Sequence, residues 1–208
     1  CNGHFGSYTL SEPLFNIMYI KYISLWLRLM CPQCGLPQPS LEAFQKCSRA
    51  KLNNLLSHIS KKCKACGARL RKSLLWDREQ QMLVETSSGD VVSARDALAL
   101  FCKLSDENPF VESVGHPRRF ITTVIFVPSI TIRPAVGGLK KGEAPRGEND
   151  ITYRLVKIIR ADKLLQKKRD DGSDPVSRRS AILGLQNAYT GYLDASKTYQ
   201  RSSKINTS

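Results

Sequence analysis

The sequence has no carboxylate arrangement suited to catalysis. Two-metal phosphoryl chemistry needs several carboxylates converging on octahedral ions, and no Asp-x-Asp-x-Asp alternation occurs in the chain. Asp170, Asp171 and Asp174 come nearest, but their spacing suits a solvated helix-ending turn and they lie among Lys167, Lys168 and Arg169. Histidine is scarce as well, with three in 208 residues. His58 and His116 lack a nearby nucleophile with an orienting acid, which argues against triad hydrolysis. Long apolar runs are also missing: residues 14–30 are broken by Asn16, Lys21, Ser24 and Arg28, so they predict a buried core helix and no membrane span. Acidic residues are outnumbered 18 to 32 by Lys and Arg, a net charge of +14. That excess implies attraction to phosphate polyanions and a steep salt dependence of binding.

Cysteine, by contrast, is plentiful and patterned. Cys31-Pro-Gln-Cys34 and Cys63-Lys-Ala-Cys66 are two Cys-x-x-Cys pairs, each followed by glycine (Gly35, Gly67). Two such knuckles supply the four soft ligands of a closed, tetrahedral, structural zinc site. The glycines suit a turn that needs positive φ. Two disulfides, or a redox pair with a leftover pair, are the alternatives. They are disfavoured because no cleavable signal peptide is recognisable and because Cys1, Cys47 and Cys102 make the total seven. Cys47 and Cys102 read as buried small hydrophobes within helices. The opening Cys1-Asn-Gly-His4 matches half of a second zinc site whose partner cysteines would lie upstream, so the chain is expected to be a fragment, although His4 alone reads equally as a turn histidine.

The hydrophobic fraction, 41%, suffices for a core in one or two domains. Ser11-Glu12-Pro13 reads as the start of a helix running to about Met30. A helical insertion is expected over residues 40–60, and a β-hairpin from residues 69–75 and 80–86 around Asp77-Arg78. Ser93-x-x-Asp96 resembles a capping box for a helix to about Leu104. Residues 120–127 form a β-branched strand, continued in extended form through Ile130 to Pro134 because Arg133 precedes proline. Residues 137–147 read as a mobile basic loop. Asn149-Asp150 caps a helix with Ile151, Leu155, Ile158, Ile159, Leu164 and Leu165 on its apolar face, and Pro175 begins another helix to about Ser196. The tail from Lys197 has no apolar period.

Taken in order, five motifs resemble the N-terminal clamp region of the largest subunit of multisubunit DNA-directed RNA polymerases. They are Cys1-x-Gly-His4-Phe-Gly6, Cys31-x-x-Cys34-Gly, Cys63-x-x-Cys66-Gly, Val127-Pro-Ser-Ile-Thr-Ile-Arg133-Pro134 and Arg146-Gly-Glu-Asn-Asp150-Ile-Thr-Tyr-Arg-Leu155. Each is common alone; together they span nearly the whole chain in the family's order. The chain has Val-Pro-Ser-Ile-Thr-Ile-Arg-Pro where the family usually shows a run of prolines, and Ser7 where histidine is frequent. These departures fit a divergent polymerase, such as one encoded by a large DNA virus.

The resemblance implies an α+β fold with a zinc-stabilised clamp head over residues 1–115. Residues 116–208 would then form a strand, a lid loop, helices and the start of the rudder. It implies that Cys31, Cys34, Cys63 and Cys66 hold one zinc, and that Cys1 and His4 belong to a second. It implies that residues 135–149 are the lid, where RNA peels from template DNA, and that Lys140, Lys141, Arg146, Arg201 and Lys204 contact nucleic-acid backbones. Partners would be the DNA template, the RNA–DNA hybrid, and the second-largest and other subunits, with no membrane. The setting would be a reducing compartment, nucleus or cytoplasm, or a virion. Magnesium would belong to the catalytic Asp loop of the complete subunit, which is absent here. A stand-alone zinc module binding nucleic acid is the alternative reading, followed by a structural protein such as a ribosomal component.

Overall fold

In a computed structural model the fold is mixed helix and sheet, an α+β arrangement as expected. The structure describes residues 3–40, 42, 56, 59–135 and 147–194. The chain divides into two compact units, one of residues 13–122 and one of residues 1–12 with 123–208.

The unit of residues 13–122 holds the larger apolar core. Asn16 ends the incoming strand, its side chain accepting from the Met18 N–H to cap a 3₁₀ turn, Ile17–Tyr19. Helix α1, Ile20–Leu29, follows. Its stripe of Ile23, Trp26, Leu27 and Met30 recurs at helical spacing and packs with Phe15, Leu83, Ala97 and Phe101. Full burial of each large side chain contributes roughly 1.5–3 kcal/mol of transfer free energy. Strands β2 (Leu74–Asp77), β3 (Met82–Glu85) and β4 (Val91–Val92) form an antiparallel sheet in that order, with Leu75 opposite Val84. The turn between β2 and β3 is set by Asp77, whose Oδ1 accepts from the N–H groups of Glu79 and Gln80. The hairpin is therefore present, but its first arm starts at Leu74, and Arg69 and Leu70 pair back with Lys62 and Lys61 at the second knuckle.

Helix α2, Ala94–Phe101, opens with the expected capping box between Ser93 and Asp96. It ends three residues short of Leu104. Cys102 is its C-cap and is exposed, which corrects its reading as a buried hydrophobe: the helix unwinds there and leaves the side chain in solvent. Cys47 lies outside the described residues, as does most of the helical insertion expected over 40–60. Helix α3 (Pro109–Val114) and a 3₁₀ turn (Pro117–Phe120) complete this unit. His116 is buried there as a structural residue, accepting the Arg118 N–H at Nδ1 and so donating from Nε2 to the Leu104 carbonyl at 3.0 Å.

Two strands, β1 (Gly6–Phe15) and β5 (Ile121–Val127), form a two-stranded sheet, and each runs from one unit into the other. Strand β1 corrects the helix expected from Ser11. The Ser11 N–H and hydroxyl go to the Asp162 carboxylate, at 3.0 and 2.6 Å, instead of capping a helix. Leu10, Glu12 and Leu14 are buried at alternate positions of the strand. Beyond β5 the chain does not stay extended to Pro134. It turns at Ser129–Arg133, where Ile132 N–H donates to the Ser129 carbonyl and Ser129 Oγ bonds Thr131 Oγ1 at 2.7 Å.

Helices α4 (Asp150–Asp170) and α5 (Pro175–Leu193) pack against each other in the unit of residues 1–12 and 123–208. Asn149 caps α4 and Asp174 caps α5. Leu155, Ile158 and Leu165 are buried, whereas Leu164 is half exposed and off the apolar face. The most buried polar side chain of α4 is Asp162, which accepts from Tyr8 Oη at 2.9 Å, Ser11 N–H and hydroxyl, and Gln166 Nε2 at 2.8 Å. Burial first, and then this hydrogen bond, holds the Tyr8 phenol above its usual range. Arg169 adds an ion pair to the buried Glu12 and donates to the Ser11 carbonyl.

Candidate metal centre

The two knuckles have the same backbone design. In the first, Cys31 N–H donates to the Leu36 carbonyl and Gly35 N–H to the Cys31 carbonyl, both at 3.0 Å. In the second, Cys63 N–H donates to the Ala68 carbonyl at 2.8 Å and Gly67 N–H to the Cys63 carbonyl at 3.0 Å. A single β-bridge closes each loop at its base, Met30 with Pro37 and Lys62 with Arg69. Gly35 and Gly67 take φ of +76° and +74°, the left-handed turn conformation expected of them. The surroundings differ. A Cβ on Gly35 would lie 2.6 Å from Lys103 Cβ, whereas one on Gly67 would meet nothing within 4 Å. Lys103, just past α2, also donates its ammonium to the Gln33 carbonyl at 2.7 Å.

The knuckles face each other and their four thiol sulfurs lie within 4.8 Å of one another. Cys31 Sγ is 3.5 Å from Cys66 Sγ, and Cys34 Sγ is 3.7 Å from Cys63 Sγ. All four are free thiols, so the disulfide alternative is not what this arrangement holds. A tetrahedral ion with sulfur at about 2.3 Å spaces its ligands about 3.8 Å apart, which these separations match. Cys31 and Cys63 are buried with Leu70, Cys34 is partly buried against them, and Cys66 is exposed.

The thiols of Cys34, Cys63 and Cys66 influence one another's ionisation. The Cys66 N–H, then that of Ala65 and the neighbouring thiols, hold the Cys63 thiol down to about 6 against its burial. Cys34 is pushed up to about 12: the Leu36 N–H favours its thiolate, but burial and three neighbouring thiols outweigh it. Cys63 is therefore held toward its thiolate, and Cys34 and Cys66 toward their thiols.

Two residues act by positioning: Gln38, which carries no sequence signal, and Arg133, which the sequence marks only as part of the Val127–Pro134 motif. Gln38 donates from Nε2 to Cys63 Sγ at 3.3 Å and to the Leu36 carbonyl at 2.9 Å, while its Oε1 accepts from the Lys64 N–H. Its amide therefore joins one knuckle to the other. In the other unit, Arg133 donates from Nε to the Pro128 carbonyl and from Nη1 to Thr152 Oγ1, both at 3.0 Å. It fastens the end of the Ser129–Arg133 turn to the first turn of α4.

Of the other expected site residues, His4 is described and exposed. Cys1, Lys140, Lys141, Arg146, Arg201 and Lys204 lie outside the described residues. Asp170, Asp171 and Asp174 occupy the helix-ending turn expected of them, without converging. Among the described residues, no helix is long and apolar enough to cross a membrane.

The chain matches the family model of RNA polymerase Rpb1, domain 1, over residues 1–208. It is 26% identical to the DNA-directed RNA polymerase subunit Rpo1N of Thermoplasma acidophilum over 93% of its length, and 31% identical to that of Sulfolobus acidocaldarius over 83%. It is 23% identical to the DNA-directed RNA polymerase II subunit RPB1-A of Trypanosoma brucei brucei over 99% of its length. It spans 24%, 22% and 14% of these three relatives, respectively. With a match that runs from its first residue to its last, the chain belongs to the RNA polymerase Rpb1 domain 1 family.

Proposed function

We propose that this chain forms the clamp and lid of the largest subunit of a DNA-directed RNA polymerase, holding template DNA and the RNA–DNA hybrid during transcription. The observation that carries the reading is the family match across all 208 residues. The convergence of four sulfurs at the spacing of a tetrahedral ion supports it. Cys31, Cys34, Cys63 and Cys66 hold a structural zinc, and Cys1 and His4 give two ligands to a second. Bound zinc cross-links the knuckles without an open position for chemistry. Residues 1–115 then act as the clamp head, and residues 116–208 carry the strand, lid, helices and start of the rudder.

In this role the chain contributes electrostatics and shape, and nucleotidyl transfer belongs to the magnesium-binding carboxylates of the complete subunit. Lys140, Lys141, Arg146, Arg201 and Lys204 neutralise phosphates without reading bases. The second-largest and other polymerase subunits complete the enzyme in a reducing compartment, nucleus or cytoplasm. The test is to assemble polymerase from the complete subunit carrying Lys140→Ala, Lys141→Ala and Arg146→Ala. The slope of log stability of the elongation complex against log salt should become shallower by roughly two to three, with sequence preference unchanged. An unaltered slope would refute the assignment of the lid.

A further inference from the structure

We infer that a cleft beside the second knuckle is a phosphate-binding site, suited to a backbone phosphate of nucleic acid. The inference rests on the clamp reading above but concerns residues that reading does not use. The cleft has a volume of about 310 Å³ and lies within the unit of residues 13–122. Four cations line it: Arg28 from the last turn of α1, Lys61 entering the knuckle, and Arg71 and Lys72 leaving it. Leu56, Ile59, Ser60 and the buried Leu70 complete the lining, and among the described residues no carboxylate lines it.

The backbone fixes this arrangement. Leu70 N–H donates to the Lys61 carbonyl at 3.1 Å, joining the two segments that flank the knuckle. Arg28 Nε donates to the Lys72 carbonyl at 2.7 Å, which anchors the guanidinium and leaves its terminal nitrogens for a ligand. Arg71 Nη1 is buried and has no hydrogen-bond partner. Among the described residues neither arginine makes an ion pair.

A half-buried guanidinium has lost hydration and regains the most from a phosphate, whose oxygens match its planar fork. Burial lowers the basicity of Arg28, and of Arg71 against the pull of Glu85, Asp96, Asp90 and Cys31, but neither gives up its charge. The lining decides the sign of the ligand. A second cavity, of about 420 Å³, also touches Arg71, but Glu85 and Asp90 line it and offset the positive charge.

The full chain, zinc-loaded and labelled with ¹⁵N-arginine, is titrated with short oligodeoxythymidylate and, separately, with inorganic phosphate. Arg28 Nε and Nη signals should move with the oligonucleotide. Arg28→Gln and Lys61→Gln should each weaken its binding about fivefold to tenfold and make the salt slope shallower by about one. Lys157→Gln, on exposed α4, serves as the control of equal charge. Movement with inorganic phosphate at comparable affinity supports the site with free phosphate as its source; movement with the oligonucleotide alone supports a backbone phosphate. If neither probe moves the Arg28 signals, or both cleft variants bind like the control, the site is overturned. Should Lys140→Ala, Lys141→Ala and Arg146→Ala still weaken binding in that case, the clamp reading survives its loss. The wild-type titration stands even if a variant fails to fold.

Discussion

The side-chain amide of Gln38 crosses from the first knuckle to the second and places its nitrogen 3.3 Å from the sulfur of Cys63. The orientation is fixed by its other contacts: the nitrogen side also meets the Leu36 carbonyl, and the oxygen side meets the Lys64 N–H. An N–H directed at a metal-bound thiolate offsets its charge and slows its protonation.

Gln38→Glu should therefore be more damaging than its near-identical shape suggests, because it keeps the acceptor toward Lys64 and turns the donor toward sulfur into an anion. Zinc affinity, measured by competition with a chromophoric chelator, is expected to fall by about 10- to 100-fold. Gln38→Leu should fall on the milder side of Gln38→Glu. Equal zinc affinity in Gln38→Glu and the parent would show that the amide is a bystander.

Gly35→Ala and Gly67→Ala should separate, although the two knuckles share one backbone. Both substitutions place an L-residue at positive φ, at a cost of about 1–2 kcal/mol. Only at Gly35 does the new methyl meet Lys103 Cβ, at 2.6 Å, close to backbone that cannot swing away. Urea titration should find Gly35→Ala less stable than Gly67→Ala by a further roughly 1–3 kcal/mol. Indistinguishable midpoints would contradict the packing of Lys103 on the first knuckle.

Asp162→Asn tests the junction of β1 with α4. All four neighbours, Tyr8, Ser11 N–H, Ser11 hydroxyl and Gln166, donate to the carboxylate, so an amide would set its own N–H₂ against donors. A loss of about 1–3 kcal/mol is expected in chemical denaturation of the full chain. A change of under about 0.5 kcal/mol, the size of an ordinary surface substitution, would mean the network does not hold the strand in place.

The pH dependence has a definite sign. Cys63 is lowered from an ordinary 9.0 to about 6 in the folded chain. Its contribution is thus complete above the ordinary value, shrinks below it, and is lost as pH falls through about 6. Zinc needs every thiol deprotonated, so protons compete in the same direction. Melting temperature and zinc content should both fall on acidification across that window. A zinc content that holds constant below pH 6 would contradict thiolate ligation.

The fold was legible wherever a local rule decided the outcome. The capping box at Ser93, the Asn149 cap, the helix start at Pro175 and the positive φ of Gly35 and Gly67 are short-range devices, and each formed as written. Failures came where a distant residue overrode a local preference. Ser11 and Pro13 carry helix-start chemistry, but Asp162 takes the Ser11 donors and the segment becomes a strand. Arg133 before proline was expected to extend the chain, yet the Ser129–Thr131 hydroxyl pair turns it, and the Arg133 guanidinium reaches Thr152. At the candidate site the sulfurs were readable because cysteine spacing is itself the signal. Gln38 was not, since a lone glutamine in a loop says nothing until the second knuckle stands beside it.

Zinc K-edge X-ray absorption on the purified full chain tests the central claim most directly. Four sulfurs at about 2.3 Å are expected around one ion held by Cys31, Cys34, Cys63 and Cys66, and the signal should vanish in Cys31→Ser with Cys63→Ser. A shell of mixed nitrogen and oxygen, or no bound metal that depends on these cysteines, would contradict it.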